Sequence, residues 1–239
     1  MLDRLIDHAA LFPPASMSLE DALAEDRAAR ESAYADVLNR FVAPAGRLPE
    51  LPGDMRLSVV LAGPEDAGLA SDQRVEAVEL SLGTPQPRPA DLLATYRALE
   101  PLGVEAYFEL VLDEGWRNDV PANIGSIAAV GGRVKLRCGG AAVPSVEQVA
   151  LVVTCCREVG VPFKATAGLH HAMRRGEEHG FLNLLAATAA PVPELESVLA
   201  EEDFAALDLS SVDRGLFVGF GSCSWREPVD DLIELGLLS

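Results

Sequence analysis

One stretch of the sequence, residues 133–168, alternates strand-like and helix-like segments and has a lysine in each strand-like segment. The first segment, Arg133 to Cys138, ends at two glycines, and the second, Val161 to Ala167, ends at Gly168, where glycine permits an unusual turn. Between them, Ser145 precedes an acid, an amide and an apolar run, which is typical of an N-capped helix that covers a sheet. This pattern predicts a βαβ unit with parallel strands.

The two lysines of this unit, Lys135 and Lys164, lie near the ends of the predicted strands. Burying a lysine disfavours its charged form and lowers its pKa, which makes the amine available as a nucleophile. A second ammonium group nearby lowers that pKa further, so we expect the two amines to lie within about 4–6 Å of each other, facing one pocket. In the alternative interpretation, both side chains reach the rim and pair with surface carboxylates.

The same alternation extends along the whole chain of 239 residues. Strands are predicted near Leu5, Val37, Leu57, Val75, Val104, Val134, Pro162 and Leu216. Helices are predicted after Ser18 and Ser145 and over residues 89–99, 181–190, 198–207 and 230–237. Eight strands alternating with helices, in a chain close to the roughly 250 residues typical of the fold, predict an α/β protein of the (β/α)8 TIM-barrel class.

The whole chain, residues 1–239, is expected to form this barrel as a single domain, because it contains no long linker or shift in composition. Prolines and glycines between Ala45 and Met55 leave room for no more than a broken or single-turn helix, so some crossover helices are expected to be shortened.

Composition excludes several classes of protein. A formal charge of −18 argues against binding to nucleic acid or to an anionic membrane surface. No apolar run reaches the roughly 18–20 residues that cross a bilayer, and the first residues do not resemble a signal peptide, so a cytoplasmic protein is expected. No dinucleotide or Walker-type glycine motif is present, so no cofactor is implied. The expected partner is a small molecule, and assembly into a homo-oligomer is left open.

A candidate carboxylate and a candidate anion site lie near other predicted strand ends. In the strand Val75 to Leu82, side-chain alternation places Glu79 on one face close to the C-terminal end, where parallel barrels build their sites. A structural ion pair is the alternative role for Glu79. The last strand runs into small residues, Gly221-Ser222-Cys223-Ser224, whose backbone N–H groups can face an anion.

Four motifs occur in the same order as in a known family: Leu-Ile-Asp-His at the start, Val-Lys-Leu-Arg-Cys-Gly-Gly, Val-Pro-Phe-Lys-Ala-Thr-Ala-Gly, and Gly-Phe-Gly-Ser-Cys-Ser near the end. Together they resemble the deoxyribose-phosphate aldolase family, class I aldolases that are Schiff-base TIM barrels. The resemblance is remote and spans most of the chain. It implies that Lys135 forms the imine, that Lys164 lowers its pKa, and that Glu79 and Asp7 are acids near the site.

The same resemblance places Gly168 in the turn after the second lysine strand and Gly221, Ser222 and Ser224 in a phosphate loop. The chain departs from the family after Lys135, where Leu136 and Arg137 stand in place of Thr-Ser, and after Gly168, where histidines follow. By alternation Arg137 shares the face of Lys135, so its guanidinium is suited to a substrate carboxylate or phosphate.

The leading hypothesis is a carbon–carbon lyase in which Lys135 forms a Schiff base with a small carbonyl substrate and Glu79, Asp7 or water moves protons. A second hypothesis is a metal-dependent isomerase or hydrolase. Its ligands would be His170, His171 and His179 with Glu79 or Glu109. A third is a barrel that binds a ligand without catalysis, because residues beside both lysines differ from the family.

Overall fold

The computed structural model describes residues 1–140 and 143–239, and its strands form a closed, parallel, eight-stranded barrel. Each strand pairs with the next along the chain, and the last pairs with the first. The strands are β1 (Ile6–His8), β2 (Leu38–Pro44), β3 (Leu57–Val60), β4 (Val75–Ser81), β5 (Glu105–Glu109), β6 (Arg133–Arg137), β7 (Phe163–Thr166) and β8 (Phe217–Ser222). The predicted (β/α)8 TIM-barrel fold is therefore confirmed, with all eight strands at the expected places.

Helices surround the barrel. They are α1 (Leu19–Arg30), α2 (Pro89–Leu99), α3 (Trp116–Val130), α4 (Val146–Val159), α5 (Phe181–Ala187), α6 (Leu195–Ala200) and α7 (Arg226–Glu234). The predicted N-caps are confirmed: the hydroxyl of Ser18 accepts from the backbone N–H of Asp21 at 3.1 Å. At Ser145 a full capping box forms, because the side chain of Gln148 also accepts from the Ser145 N–H at 2.7 Å.

Three helical predictions need correction. Helix α3 was not predicted, because Pro121 and Gly125 weaken the helical pattern of its sequence. The segment predicted as one helix over residues 198–207 ends as an α-helix at Ala200 and resumes as a short 3-10 turn at Phe204–Ala206. The final helix begins at Arg226, four residues before the predicted start, and ends at Glu234.

Two crossovers contain no α-helix. A 3-10 helix over Ala45–Glu50 connects β2 to β3, as the prolines and glycines of this segment predicted. A second 3-10 helix, Pro64–Ser71, connects β3 to β4 and was not predicted. Within the part of the chain that the structure describes, no helix is both long and apolar enough to cross a membrane.

Strand register brings the site residues together. Lys135 on β6 is the direct neighbour of Lys164 on β7, and Glu109 on β5 is the direct neighbour of Lys135. Glu79 on β4 pairs with Tyr107 on β5. Because neighbouring residues of parallel strands point to the same side of a sheet, these side chains all enter the barrel.

Candidate active site

The carboxylate of Glu79 lies between the two lysines inside the barrel. Glu79 is 2% exposed, and its Oε2 accepts a hydrogen bond from the Lys135 ammonium at 2.7 Å. Its Oε1 accepts from the Lys164 ammonium at 2.6 Å and from the hydroxyl of Ser58 at 2.8 Å. Burial alone would raise the pKa of Glu79, but the charges of Lys135 and Lys164 lower it well below its usual range. Glu79 is therefore a carboxylate that bridges two ammonium groups.

Lys135 lies between two carboxylates. Its Nζ contacts Glu79 and also Oε2 of Glu109, at 2.9 Å. Burial alone would lower the pKa of Lys135, but the negative charges of Glu79 and Glu109 outweigh burial and raise it. The amine is therefore held as an ammonium ion.

Lys164 is enclosed more completely. Its Nζ contacts Oδ2 of Asp7 at 2.5 Å in addition to Glu79, and it lies 5.3 Å from the centroid of the Tyr107 ring. Asp7 is itself fixed by the backbone N–H of Arg40 at 3.1 Å. Burial opposes the charge on Lys164, but Asp7 and Glu79 raise its pKa above the usual range.

The expected lowering of the Lys135 pKa is wrong for this arrangement. The prediction treated the two lysines as neighbouring like charges. Their side chains do converge, since both bind Glu79. It left out the carboxylates between and beside them. Three carboxylates surround two ammonium groups, so each amine has more negative than positive charge in direct contact.

A cavity of about 320 Å³ opens at the C-terminal end of the barrel, and Lys135, Glu79 and Glu109 lie in its wall. The predicted binding residues Arg137, Gly168, Gly221 and Ser222 also line it. The Ser222 hydroxyl is buried, and no residue in the described ranges forms a hydrogen bond with it. The Arg137 Nε donates to the backbone oxygen of Gly139 at 3.0 Å. These groups can meet polar atoms of a small bound molecule.

A second cavity of about 450 Å³ opens at the opposite, N-terminal end, and it reaches Lys164 and Asp7. The expectation that both lysines face one pocket is therefore wrong. The contacts of Lys164 with Asp7 and Glu79 hold its amine inside the barrel, between the two cavities. Among the described residues, the two cavities share no lining residue.

Ser224, predicted to bind substrate, does not line the C-terminal cavity. Its hydroxyl accepts a long hydrogen bond of 3.4 Å from the backbone N–H of Glu227, at the start of α7. Its position two residues beyond the end of β8 carries it past the cavity wall.

The three histidines of the metal hypothesis bind different partners. Nδ1 of His170 lies 3.0 Å from Glu227, and Nδ1 of His171 lies 3.3 Å from Asp231. His179 is buried, and its Nε2 lies 2.8 Å from the backbone oxygen of Pro144. Within the described ranges no group of three His, Cys, Asp or Glu side chains is arranged to hold a metal ion. The structure thus does not form the ligand cluster which that hypothesis requires.

Glu109 is a site residue whose contact with Lys135 was not predicted from the sequence. In the sequence it appeared only as a possible metal ligand, whereas the structure places it on the Lys135 ammonium. One signal was available: Glu109 lies in the strand predicted over residues 104–112, and by alternation it shares a face with Tyr107. The register between β5 and β6, which the sequence does not give, was the missing information.

Two glycines bring the ends of β6 and β7 into contact. A Cβ atom on Gly139 would lie 2.7 Å from the Cα of Gly168, and one on Gly168 would lie 2.9 Å from the Cα of Gly139. Gly168 also has a φ of 66°, which other residues rarely adopt. Ala167, just before it, has a φ of 59° and lines the cavity. The wall beside Lys135 therefore depends on close backbone packing.

Comparison with solved structures places this geometry on a known scaffold. A tetrameric deoxyribose-phosphate aldolase from Aeropyrum pernix aligns with a TM-score of 0.61 over 98% of this chain and 92% of that chain. The chain has the fold of this aldolase. Sequence identity is 13%, so the predicted remote resemblance is confirmed at the level of the fold.

A mandelate oxidase aligns more loosely, with a TM-score of 0.44 and 15% identity over 84% of this chain and 76% of that chain. No protein-family model and no curated protein matches the sequence.

Proposed function

We propose that the protein is a carbon–carbon lyase of the class I aldolase type, in which Lys135 forms a Schiff base with a small carbonyl compound. One observation carries the proposal: the chain has 19 basic residues, yet its only two lysines are Lys135 and Lys164, both buried on Glu79. Everywhere else arginine supplies the positive charge. Arginine stays protonated and cannot attack a carbonyl, whereas lysine can.

The first step is loss of a proton from the Lys135 ammonium. Glu109 is the acceptor best placed for it, since it contacts Nζ at 2.9 Å and lines the cavity that the substrate would enter. A bound substrate excludes water and disfavours both charged forms, so the proton moves from the ammonium group to the carboxylate. Glu79 stays paired with Lys164 and keeps the amine in position.

The neutral amine then attacks the carbonyl carbon. The C–N bond forms as the C=O π bond breaks. The oxygen takes one proton from the nitrogen and one from Glu109 and leaves as water, which gives an iminium ion. Cleavage of the next C–C bond sends its electron pair toward the iminium nitrogen and leaves an enamine. The β-hydroxyl gives its proton to the Glu109 carboxylate, and that fragment departs as an aldehyde. Arg137 and the unpaired Ser222 hydroxyl are placed to hold a carboxylate or phosphate of the substrate.

Borohydride trapping tests the proposal. The protein is incubated with a panel of small aldehydes and ketones, reduced, and mapped by peptide mass spectrometry. We expect a reduced adduct on Lys135 and none on Lys164, whose amine is enclosed by Asp7 and Glu79. Glu109→Gln should slow adduct formation about 100-fold, as expected for loss of a general base. Absence of a Lys135 adduct across the panel would sink the proposal.

A second candidate is a barrel that binds a ligand without chemistry, and the raised pKa of Lys135 favours it. A lysine that stays protonated at neutral pH is a cation rather than a nucleophile. Panel members that also carry a carboxylate or phosphate group separate the two candidates. A carboxylate or phosphate compound that binds with Arg137-dependent affinity, but gives no adduct after reduction, supports the binding protein.

We propose that residues 1–239 form one domain whose partner is a small carbonyl compound. The aldolase from Aeropyrum pernix is a tetramer. Light scattering of the purified protein would show whether this chain also assembles into a homo-oligomer.

A further inference from the structure

The cavity at the N-terminal end of the barrel is rich in positive charge. Five arginines contribute to its wall, Arg4, Arg40, Arg56, Arg133 and Arg214, and Lys164 lies at its inner end. Its carboxylates are fewer: Asp3, Asp7 and Glu105. This is unusual in a chain whose formal charge is −18.

Three of the arginines share two carboxylates in an alternating series. Arg56 contacts Glu76 at 2.7 Å, and Arg40 contacts Glu76 at 3.0 Å and Glu105 at 2.9 Å. Arg133 completes the series on Glu105, at 2.9 Å. Three guanidinium groups on two carboxylates give this series one excess positive charge, which the charge of Asp7 near Arg40 partly offsets. Lys164 adds none, because it is bound by Asp7 and Glu79.

Arg214 and Arg4 add to this excess. The guanidinium of Arg214 donates to backbone oxygens, among them those of Phe217 at 2.8 Å and Asp3 at 3.2 Å. In the described part of the chain no carboxylate forms an ion pair with Arg214 or Arg4. Burial lowers the pKa of Arg214, although the charge of Asp3 opposes this. A half-buried cation with no counter-ion is stabilised by any anion that binds beside it.

We propose that this N-terminal cavity binds a small, doubly charged oxyanion of the phosphate class. Guanidinium groups present paired N–H donors that match phosphate oxygens, and a concave wall of one sign of charge concentrates counter-ions. A volume of about 450 Å³ is ample for inorganic phosphate or for the phosphate group of a small ester. The site lies at the opposite end of the barrel from the Schiff-base cavity and does not depend on the proposed lyase activity.

Calorimetric titration of the full chain with inorganic phosphate tests the site, with ionic strength held constant by sodium chloride. We expect a saturable site whose affinity for phosphate falls about tenfold in Arg4→Gln and in Arg133→Gln. Neither substitution removes the last partner of a carboxylate, since Glu105 keeps Arg40. Arg88→Gln, at a site 81% exposed on the surface, is the matched control and should bind as wild type does. Circular dichroism of each variant confirms that it is folded.

Two further measurements show which cavity binds phosphate and whether the ligand is the free ion or an ester. Arg137→Gln removes the guanidinium group of the C-terminal cavity and should leave the affinity of the N-terminal cavity for phosphate unchanged. A small phosphate monoester, compared with inorganic phosphate, shows whether the cavity takes the free ion or an ester. Binding of either ligand that is lost in Arg4→Gln and Arg133→Gln supports the proposal. Absence of saturable binding, equal affinity in these variants and wild type, or loss confined to Arg137→Gln overturns it.

Discussion

Lys135 and Lys164 are neighbours in the β6–β7 register, yet they belong to different halves of the barrel interior. The Lys135 amine meets the C-terminal cavity, where Glu109 reaches both the amine and the open space. The Lys164 amine is closed in by Asp7, Glu79 and the Tyr107 ring. Both lysines are buried. They differ in the cavity that each side chain lines and in the second carboxylate that each contacts, Glu109 for Lys135 and Asp7 for Lys164. In the proposed lyase Lys135 is the lysine that reacts, and Lys164 holds Glu79.

The largest expected difference between these halves is in stability. Lys164→Met leaves Asp7 buried without its cation, so we expect a loss of about 3–5 kcal/mol in the free energy of unfolding. Lys135→Met should cost only about 1–2 kcal/mol, since Glu79 keeps Lys164 and Glu109 can turn toward water. Urea unfolding at neutral pH measures both. Equal losses would show that the two positions are equivalent. Arg117→Gln, which breaks an exposed pair with Glu147, is the control and should change stability by less than about 0.5 kcal/mol.

A smaller difference is expected at alkaline pH. Both lysines have raised pKa values in the folded protein. Their stabilisation is therefore fully present below the unfolded value of about 10.4 and is lost as pH rises through the folded value. Wild type should lose stability above about pH 10.4, whereas Lys164→Met, which already lacks the larger contribution, should lose less.

Unfolding at a series of alkaline pH values measures this loss. Tyr107, whose pKa is raised to about 12 by burial, titrates in the same range. Because the charge of Lys164 lowers the Tyr107 pKa, the variants are compared in a Tyr107→Phe background, where their differences isolate the lysines. If Lys135→Met flattened the alkaline loss more than Lys164→Met, the assignment of the stronger ion pair to Lys164 would be reversed.

The smallest expected effect concerns the residue that supports Glu79. Ser58→Ala removes the hydroxyl that donates to Oε1 at 2.8 Å, but that oxygen keeps Lys164. We expect a loss of about 1 kcal/mol in unfolding free energy, less than either lysine substitution causes. Ser71→Ala is the matched control, because the Ser71 hydroxyl makes an exposed hydrogen bond to the backbone oxygen of Gly68. A loss at Ser58 as large as at Lys164 would mean that Glu79 depends mainly on its neutral donor.

The barrel was predictable because its signals are local. Apolar strand-like segments ending at small residues, and caps such as Ser18 and Ser145, are all readable within a few positions. Helix α3 was missed because Pro121 lies inside it, where a proline lacks the helical N–H donor and breaks the sequence pattern. The sequence also indicated that four side chains lie near one site. In the structure they form one connected group: Lys135, Lys164, Glu79 and Asp7.

Charge compensation was not predictable, because it depends on contacts between distant residues. The sequence shows two lysines on neighbouring strands, but it does not show that Glu79 lies between them or that Glu109 lies beside one. The pKa of a lysine follows the sum of such contacts, so the expected sign was reversed. The separation of the interior into two cavities likewise depends on where the Lys164 side chain ends, which strand alternation does not specify.

The contact between Gly139 and Gly168 limits how this protein can change over generations. A methyl group added at either glycine meets the backbone of the other, so no repacking of a flexible side chain can relieve the clash. The two positions are therefore expected to stay glycine together, or to change only with a shift of both strand ends. Because these ends form the wall beside Lys135, the shape of the cavity can vary more readily at the ends of the other strands.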